Sequence, residues 1–199
     1  FSYVFLLVEF VGGFMIIWIN GTYCVGKTDV SRRLKERLSA YDAELLELDN
    51  YSDSIMGKIL KNPKENNTSY TDIDGASSYD IQYHEEFRAM IEEKANKMLI
   101  VDTAITDKTC KNIVFDYLSD KYNDLLHIIL VADEETIKLR IQNDGKRKHE
   151  DKLFALNYLK KNLSFMEENF KDAVWIRTDN RNIESIVDEI IESVKFRKK

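Results

Sequence analysis

The sequence predicts an α/β protein whose parallel β-sheet is covered by helices on both faces. Short apolar segments alternate along the chain with amphipathic helical segments, which is the pattern of parallel strands buried between two helical layers. A glycine-rich segment follows the first apolar segment, and the ligands of such sheets bind at the carboxyl ends of the strands. The chain has 199 residues and one proline, and no linker-like run interrupts residues 15–199, which suits a single domain.

Five short apolar runs are predicted as strands. In chain order they are residues 16–19, 44–48, 98–101, 125–131 and 174–176. The first run ends at the Asn20-Gly21 pair, which favours a turn. The third run is apolar throughout, as expected of a strand that is buried on both faces.

The helices are predicted from apolar residues that recur every three or four positions. The first follows residue 26, with Val30, Leu34 and Leu38 on one face, and the last contains the apolar residues between Ile183 and Val194. The others are residues 79–97, residues 108–119, a helix through Ile137 and Ile141 with Asp133 as its N-cap, and a helix striped by Leu156, Leu159, Leu163 and Phe170.

Two segments stand apart from this alternation. Residues 61–78 are polar, and a long polar segment inside a compact domain is usually a functional lid or a binding loop. Residues 1–14 are mostly apolar, but they include a glutamate and a glycine pair, and no Lys or Arg precedes them. We interpret residues 1–14 as an N-terminal extension before a natural start at Met15 and predict no membrane span, with a membrane anchor as the alternative.

Composition excludes several classes of partner. The net charge of −6 leaves the protein without the positive field that attracts nucleic acid or anionic membranes, so we predict neither partner. The two cysteines, Cys24 and Cys110, form no C-x-x-C pair and no cluster with histidine. This arrangement argues against zinc and fits a reducing compartment, which we take to be the cytoplasm. The three histidines lie far from one another, and we interpret them as structural or surface residues.

The segment that carries the chemistry matches G-x-x-x-x-G-K-[ST] at every specified position and lies between a predicted strand and a predicted helix. It consists of Gly21, Thr22, Tyr23, Cys24, Val25, Gly26, Lys27 and Thr28. We call it the phosphate loop and predict that all eight residues bind ATP, because glycines let backbone amides approach phosphates and a helix N-terminus attracts anions. Lys27 is the predicted catalytic cation on the β- and γ-phosphates, and the Thr28 hydroxyl is a predicted Mg²⁺ ligand.

This loop has two alternative interpretations. A chance glycine-rich turn is the structural alternative, and a dinucleotide site is excluded because G-x-G-x-x-G is absent. Loop amides are able to lower the pKa of Cys24, although a tolerated small residue is the simpler interpretation of that cysteine.

Two carboxylates follow predicted strands and are therefore expected at the carboxyl edge of the sheet. Asp102 ends the third strand and is predicted to orient Mg²⁺ through its bound water, with a turn or cap residue as the alternative. Asp49 ends the second strand and is the predicted catalytic base that orients the acceptor hydroxyl and takes its proton. Solvated turn chemistry is the alternative for Asp49, and residues 50–78 are expected to form the wall on the acceptor side.

A basic segment follows the fourth strand. Arg140 lies late in a predicted helix, and residues 144–149 form a dense basic cluster that includes Arg147. We predict a lid around residues 140–152, with Arg140 stabilising the transferred phosphoryl group and Arg147 binding nucleotide. An ordinary solvated basic turn is the alternative.

Several segments beyond the phosphate loop resemble a known family. They are Met15 to Gly21 (MIIWING), Ile100 to Asp107 (IVDTAITD), Ile128 to Ile141 (IILVADEETIKLRI) and Ile176 to Ile183 (IRTDNRNI). Together they resemble the small ATP-binding proteins related to the tunicamycin-resistance protein, which belong to the P-loop small-molecule kinases with the shikimate, gluconate and chloramphenicol kinases. The resemblance covers residues 15–195.

This resemblance implies a three-layer α/β/α fold with a five-stranded parallel sheet in the order 2-3-1-4-5 and a small mobile helical lid. It also implies that Asp179 and Asn180 lie in the loop beside the adenine of ATP. The chain departs from the family where a second lid arginine is common, because Arg140 is followed by the run Lys146-Arg147-Lys148.

Four classes of function come into question for a protein with this loop. An ATP- and Mg²⁺-dependent phosphotransferase acting on a hydroxyl of a small molecule, such as a sugar, nucleoside or antibiotic, accounts for all the predicted site residues. A non-catalytic ATP-binding protein for resistance or sensing is the alternative. A regulatory GTPase is excluded because N-K-x-D is absent, and a mechanical AAA-type ATPase is disfavoured because no helical subdomain follows the core. The sequence identifies neither the acceptor nor the oligomeric state.

Overall fold

The computed structural model describes residues 14–61 and 76–196. The predicted extension at 1–14 lies outside the described residues except for Phe14, and so does most of the predicted loop at 61–78. In the part of the chain that is described, no helix has both the length and the apolar character needed to cross a membrane.

The described residues form a five-stranded, all-parallel sheet in the order β2-β3-β1-β4-β5. The strands are β1 (Met15–Gly21), β2 (Glu44–Glu47), β3 (Met98–Asp102), β4 (Leu125–Val131) and β5 (Val174–Arg177). Register aligns Ile19 of β1 with Asp102 of β3. The predicted fold class and strand order are therefore confirmed, and the phosphate loop leaves the centre of the sheet at its carboxyl edge.

Helices cover both faces of this sheet. They are α1 (Lys27–Arg37), α2 (Ser52–Lys61), α3 (Ser78–Glu93), α4 (Lys108–Cys110), α5 (Tyr117–Lys121), α6 (Glu134–Asn143), α7 (His149–Asn169) and α8 (Ile183–Phe196). A π-helical segment, Lys111–Asp116, joins α4 to α5. Residues 140–152, the predicted lid, comprise the end of α6, a short turn and the start of α7, and their closure over a ligand stays a prediction.

Side chains of β1 alternate between two apolar layers. Ile17 and Ile19 are fully buried in the layer that contains α1 and α8. Ile16 and Trp18 are fully buried in the opposite layer, which contains α3 and the π-helical segment. The ring of Trp18 packs edge to face on Phe115, with centroids 5.6 Å apart, so the central strand is held tightly from both sides.

The prediction for the segment after β2 was wrong in two respects. β2 ends at Glu47, and Asp49 lies in a 3₁₀ turn, Leu48–Asn50. No helix was predicted at the start of the acceptor-side wall, residues 50–78, but residues there form helix α2, which buries Ile55 and Ile59. Apolar residues four positions apart indicate a helix, and the glycine and polar residues between them obscured this pattern.

Two helical predictions also need correction. The segment predicted as one helix over 108–119 contains the π-helical stretch, in which the carbonyl of Ile113 accepts a hydrogen bond from the Arg88 side chain at 3.2 Å. Asp133 lies at the N-cap of α6, but its side chain makes no cap hydrogen bond and instead pairs with Arg177 at 2.5 Å.

The last residue of β1 requires glycine. Gly21 has φ +145°, and a Cβ there would lie 2.7 Å from the carbonyl oxygen of Leu130 in β4. The backbone of β4 is fixed by the sheet, so it cannot move away from an added methyl group. Gly57, in the middle of α2, meets nothing within 4 Å and makes a matched control.

We expect Gly21→Ala to lower the free energy of unfolding by about 2 kcal/mol or more, because it combines backbone strain with a backbone clash. Gly57→Ala should raise it by about 0.5–1 kcal/mol, since alanine loses less conformational freedom in a helix. Urea denaturation of both variants measures the difference. Equal stability of Gly21→Ala and the wild type would contradict the described loop backbone.

Candidate functional site

The phosphate loop connects the end of β1 to the start of α1 through two left-handed residues. Cys24 has φ 55° and Gly26 has φ 105°, conformations that turn successive backbone amides toward one concavity suited to an anion. Lys27 is the first residue of α1, and its Nζ donates to the carbonyls of Gly21 and Thr22, both at 3.1 Å. The ammonium group is therefore held against the loop.

Lys27 interacts electrostatically with two acidic groups. Burial lowers the pKa of its ammonium group, and the negative charges of Asp102 and Asp49 oppose that shift. All three predicted residues therefore lie close enough to interact electrostatically. A cation that is partly desolvated interacts strongly with phosphate oxygens.

Asp102 and Thr28 form the predicted metal pair. The side chain of Asp102 is buried, and burial raises its pKa, while the charge of Lys27 and a side-chain hydrogen bond with Thr28 oppose the rise. Its buried Oδ2 has no hydrogen-bond partner in the described structure. Such an oxygen, beside a threonine hydroxyl, fits Mg²⁺, which prefers hard oxygen ligands and keeps waters and substrate phosphates as its others.

An all-protein metal cage is not the arrangement found. Among residues 14–61 and 76–196, no group of three or more His, Cys, Asp or Glu side chains is placed to hold a metal ion.

Asp49 is exposed in its 3₁₀ turn. Its charge contributes to raising the pKa of Tyr23 in the loop and of Tyr83 in α3, although burial is the larger cause in both cases. Asp49 therefore lies within electrostatic range of both the loop and α3. Its role as the base stays a prediction.

A buried asparagine that the sequence interpretation missed fixes the loop in place. The Oδ1 atom of Asn20 accepts from the amides of Gly21 at 2.7 Å and Ile105 at 3.0 Å. Its Nδ2 lies 3.1 Å from Nε2 of His127 in β4, where it donates to the imidazole. The available signal was an amide side chain at the end of an otherwise apolar strand, directly before the loop.

Arg140 lies between the phosphate loop and the loop after β5. Its guanidinium donates to the carbonyl of Val25 at 3.4 Å and to the hydroxyl and carbonyl of Thr178 at 3.1 and 3.2 Å. Asp179 accepts from the amide of Asp133 at 2.8 Å, whereas Asn180 is exposed with φ 52°. The predicted phosphoryl role of Arg140 and the adenine roles of Asp179 and Asn180 stay predictions.

Arg147 reaches over the loop from the turn after α6. It donates to Asp144 at 3.1 Å, and its guanidinium lies 5.5 Å from the ring centroid of Tyr23. Cys24 Sγ lies 3.8 Å from Asp144 Oδ2. Burial raises the pKa of Cys24, so the suggestion that loop amides lower it is wrong.

An open cleft of about 500 Å³ lies between the loop and α6. Its lining residues are Cys24, Thr136, Leu139, Arg140, Asn143 and Asp144. It borders Asp179, because Thr136 makes a side-chain hydrogen bond to that residue. The cleft therefore adjoins the phosphate loop on the side of β5.

Solved structures share this fold. The tunicamycin resistance protein of Deinococcus radiodurans has a TM-score of 0.60 and 19% identity, with 90% of this chain and 95% of that chain covered. Shikimate kinase from Bacteroides thetaiotaomicron has a TM-score of 0.60 and 15% identity over 92% of this chain and 99% of that one. A gluconokinase from Sinorhizobium meliloti has a TM-score of 0.57 and 13% identity over 91% of both chains.

Sequence comparison shows the family. The AAA domain family matches residues 17–175. A protein of Methanocaldococcus jannaschii that bears the name "Putative adenylate kinase" is 31% identical over 186 residues, covering 92% of this chain and 88% of that protein.

The sheet order and the phosphate loop define a P-loop small-molecule kinase-like protein, as the resemblance implied. The chain belongs to the AAA domain family. The expectation that it is not a mechanical ATPase concerns activity, which the family match leaves untested, and it stays a prediction.

We expect Lys27→Ala to weaken ATP binding at least tenfold, because a charged hydrogen bond contributes about 1.5–3 kcal/mol. The fold should persist, since the charged form of Lys27 is disfavoured by burial. Calorimetric titration with ATP measures the affinity, and Lys35→Ala, an exposed lysine later in α1, is the control. Unchanged ATP affinity in the folded variant would contradict the assignment.

Asp102→Asn should stabilise the nucleotide-free protein at neutral pH. The native carboxyl has a raised pKa, so the native state holds its proton to higher pH than the unfolded chain does. Stability therefore falls as pH rises from the unfolded value of 3.8 through the native one. Asparagine does not ionise, so the stability of the variant does not decrease in this way as pH rises.

Thermal melting from pH 4 to pH 7 measures this effect. The variant should melt above the wild type at pH 7, and the difference should shrink toward pH 4. Asp53→Asn, at an exposed position in α2, should behave like the wild type. A lower melting temperature for Asp102→Asn at pH 7 would show that the buried charge stabilises the fold.

Proposed function

We propose that the protein is an ATP- and Mg²⁺-dependent phosphotransferase that acts on a hydroxyl of a small molecule. The observation that carries the proposal is Lys27, which is held at the phosphate loop and interacts electrostatically with a buried carboxylate, Asp102, and an exposed one, Asp49. The buried carboxylate is suited to Mg²⁺, and the exposed one is accessible to an acceptor.

Nucleotide binding follows from the loop and its neighbours. The loop amides and Lys27 would hold the β- and γ-phosphates, as in other phosphate loops. The cleft between the loop and α6 would bind the adenine of ATP, with Arg140, Asp179 and Asn180 beside it. Arg147 would close over the phosphates from its position above Tyr23.

Phosphoryl transfer needs little covalent chemistry from the protein. The acceptor oxygen forms a bond to the γ-phosphorus while the bond from that phosphorus to the bridging oxygen breaks, and ADP leaves. Asp49 takes the proton of the acceptor hydroxyl. Lys27 and Arg140 stabilise the charge on the transferred group. Mg²⁺, held by the Thr28 hydroxyl and oriented by the Asp102 carboxylate, would neutralise further phosphate charge.

The alternative is a protein that binds ATP and a small molecule without transferring phosphate. The exposed position of Asp49, within electrostatic range of the phosphate loop, favours transfer, because a binding protein has no need of a catalytic base there. The names of the relatives suggest acceptors for the first assay: AMP, gluconate and shikimate, followed by nucleosides, sugars and antibiotics. Incubation with ATP and Mg²⁺ and detection of a phosphorylated product tests the proposal, and ATP binding without any product favours the alternative.

Variants of the two carboxylates separate chemistry from metal binding. We expect Asp49→Asn to lower kcat by roughly 10²-fold or more, as loss of a positioned base does, with ATP affinity changed less than about threefold. Asp102→Asn should instead raise the Mg²⁺ concentration required for half-maximal rate. Kinetics over a Mg²⁺ titration measure both, and Asp53→Asn is the control. The opposite pattern would exchange the two roles.

A further inference from the structure

We propose that the cleft between α3 and α7 binds an anionic group, phosphate or carboxylate, of the acceptor, with Lys108 and Lys161 as its cationic ligands. This inference rests on the proposed function, because it names the acceptor class of the same site. No comparison assigns these residues a role.

The cleft has a volume of about 450 Å³, with two walls and a floor. Asp80 and His84 of α3 form one wall, and Lys161 and Phe165 of α7 form the facing one. The segment after β3, with Thr106 and Lys108, forms the floor. Three elements that are distant in sequence therefore converge at one place.

The floor of this cleft is fixed beside the phosphate loop. Thr106 follows Ile105, whose amide donates to Asn20 at 3.0 Å, and the same Asn20 oxygen accepts from Gly21. The floor and the loop therefore share one buried anchor. A ligand on the floor lies on the same edge of the sheet as the phosphates.

Residues beside both walls interact electrostatically with the proposed site. Burial raises the pKa of Tyr83, next to His84, and the charge of Asp49 adds to that rise. Tyr158, one turn before Lys161, contributes in the same way to the raised pKa of Tyr23 in the phosphate loop.

The carboxylates of the cleft are already engaged by hydrogen bonds. Asp80 accepts from the amide and hydroxyl of Ser77 at 3.1 and 2.6 Å, completing the capping box of α3. Asp107 accepts from the amide of Cys110 at 2.9 Å. These bonds offset part of each negative charge with backbone donors.

The two lysines of the cleft, in contrast, have no polar partners in the part of the chain that is described. Within the described residues, neither Lys108 nor Lys161 has a hydrogen bond or ion pair, and the Lys161 ammonium lies 5.7 Å from the ring centroid of Tyr158. His84, which donates through Nδ1 to the carbonyl of Asp80 at 2.7 Å, is not counted among these cations. The hydrogen-bond donors that the cleft offers to a ligand are therefore ammonium groups, which suit a ligand with anionic oxygens.

Matched pairs of probes test this inference on the full chain. The protein, saturated with Mg²⁺ and a non-hydrolysable ATP analogue, is titrated with AMP and adenosine, and with gluconate and glucose. Each pair differs in the anionic group. We expect at least one anionic probe to bind at least tenfold more tightly than its neutral partner. Calorimetry and the ligand-dependent rise in melting temperature measure this binding.

Variants localise the effect. Lys108→Gln and Lys161→Gln should each weaken binding of that anionic probe at least fivefold and leave the affinity for the ATP analogue unchanged. Lys160→Gln, the neighbouring exposed lysine, whose ammonium lies 3.7 Å from Glu134, should bind the probe as the wild type does. Retained affinity for the ATP analogue shows that each variant is folded.

The proposal is overturned if neutral probes bind as well as anionic ones, if no anionic probe binds saturably, or if the two variants bind like Lys160→Gln. Failure of the proposed function looks different. In that case the ATP analogue fails to bind, or a bound anionic acceptor receives no phosphate from ATP although its binding still depends on Lys108 and Lys161.

Discussion

The geometry of the site depends on one buried amide side chain. Asn20 joins the start of the phosphate loop to the segment after β3 and to His127 of β4, so three adjacent strands hold one another at their carboxyl edge. In a buried network every polar atom needs its partner, because an unpaired one costs about 1–3 kcal/mol. The positions of Gly21 and of the cleft floor are thereby set together.

Two ionisable groups, Lys27 and Asp102, lie at the same edge of the sheet, and the fold does not require their charges. Burial shifts the pKa values of Lys27 and Asp102 in the directions that favour their neutral forms. Keeping both ionised therefore reduces the stability of the empty protein. Phosphates and a metal ion would supply the missing partners, which is why such strain concentrates at functional sites.

Local sequence was sufficient where one segment determines its own structure. The run from Met15 to Thr28 encodes a strand, a loop and the first residues of a helix, and Asp102 was predicted from the four apolar residues before it. Residues whose partners are distant in sequence were missed. Asn20 and His127 lie 107 residues apart, and only the folded sheet shows that they meet. Likewise, the Ile113 carbonyl of the π-helical segment accepts from Arg88, which belongs to another helix.

The two edge strands, β2 and β5, are each four residues long. Both carry charged side chains: Glu44 pairs with Lys94 and Lys97, and Arg177 pairs with Asp133. Short strands with charged flanks offer little template for pairing with a second chain. The sheet can therefore keep five hydrophobic strands in register while resisting edge-to-edge aggregation, which matters most while the chain is folding and its core is not yet covered.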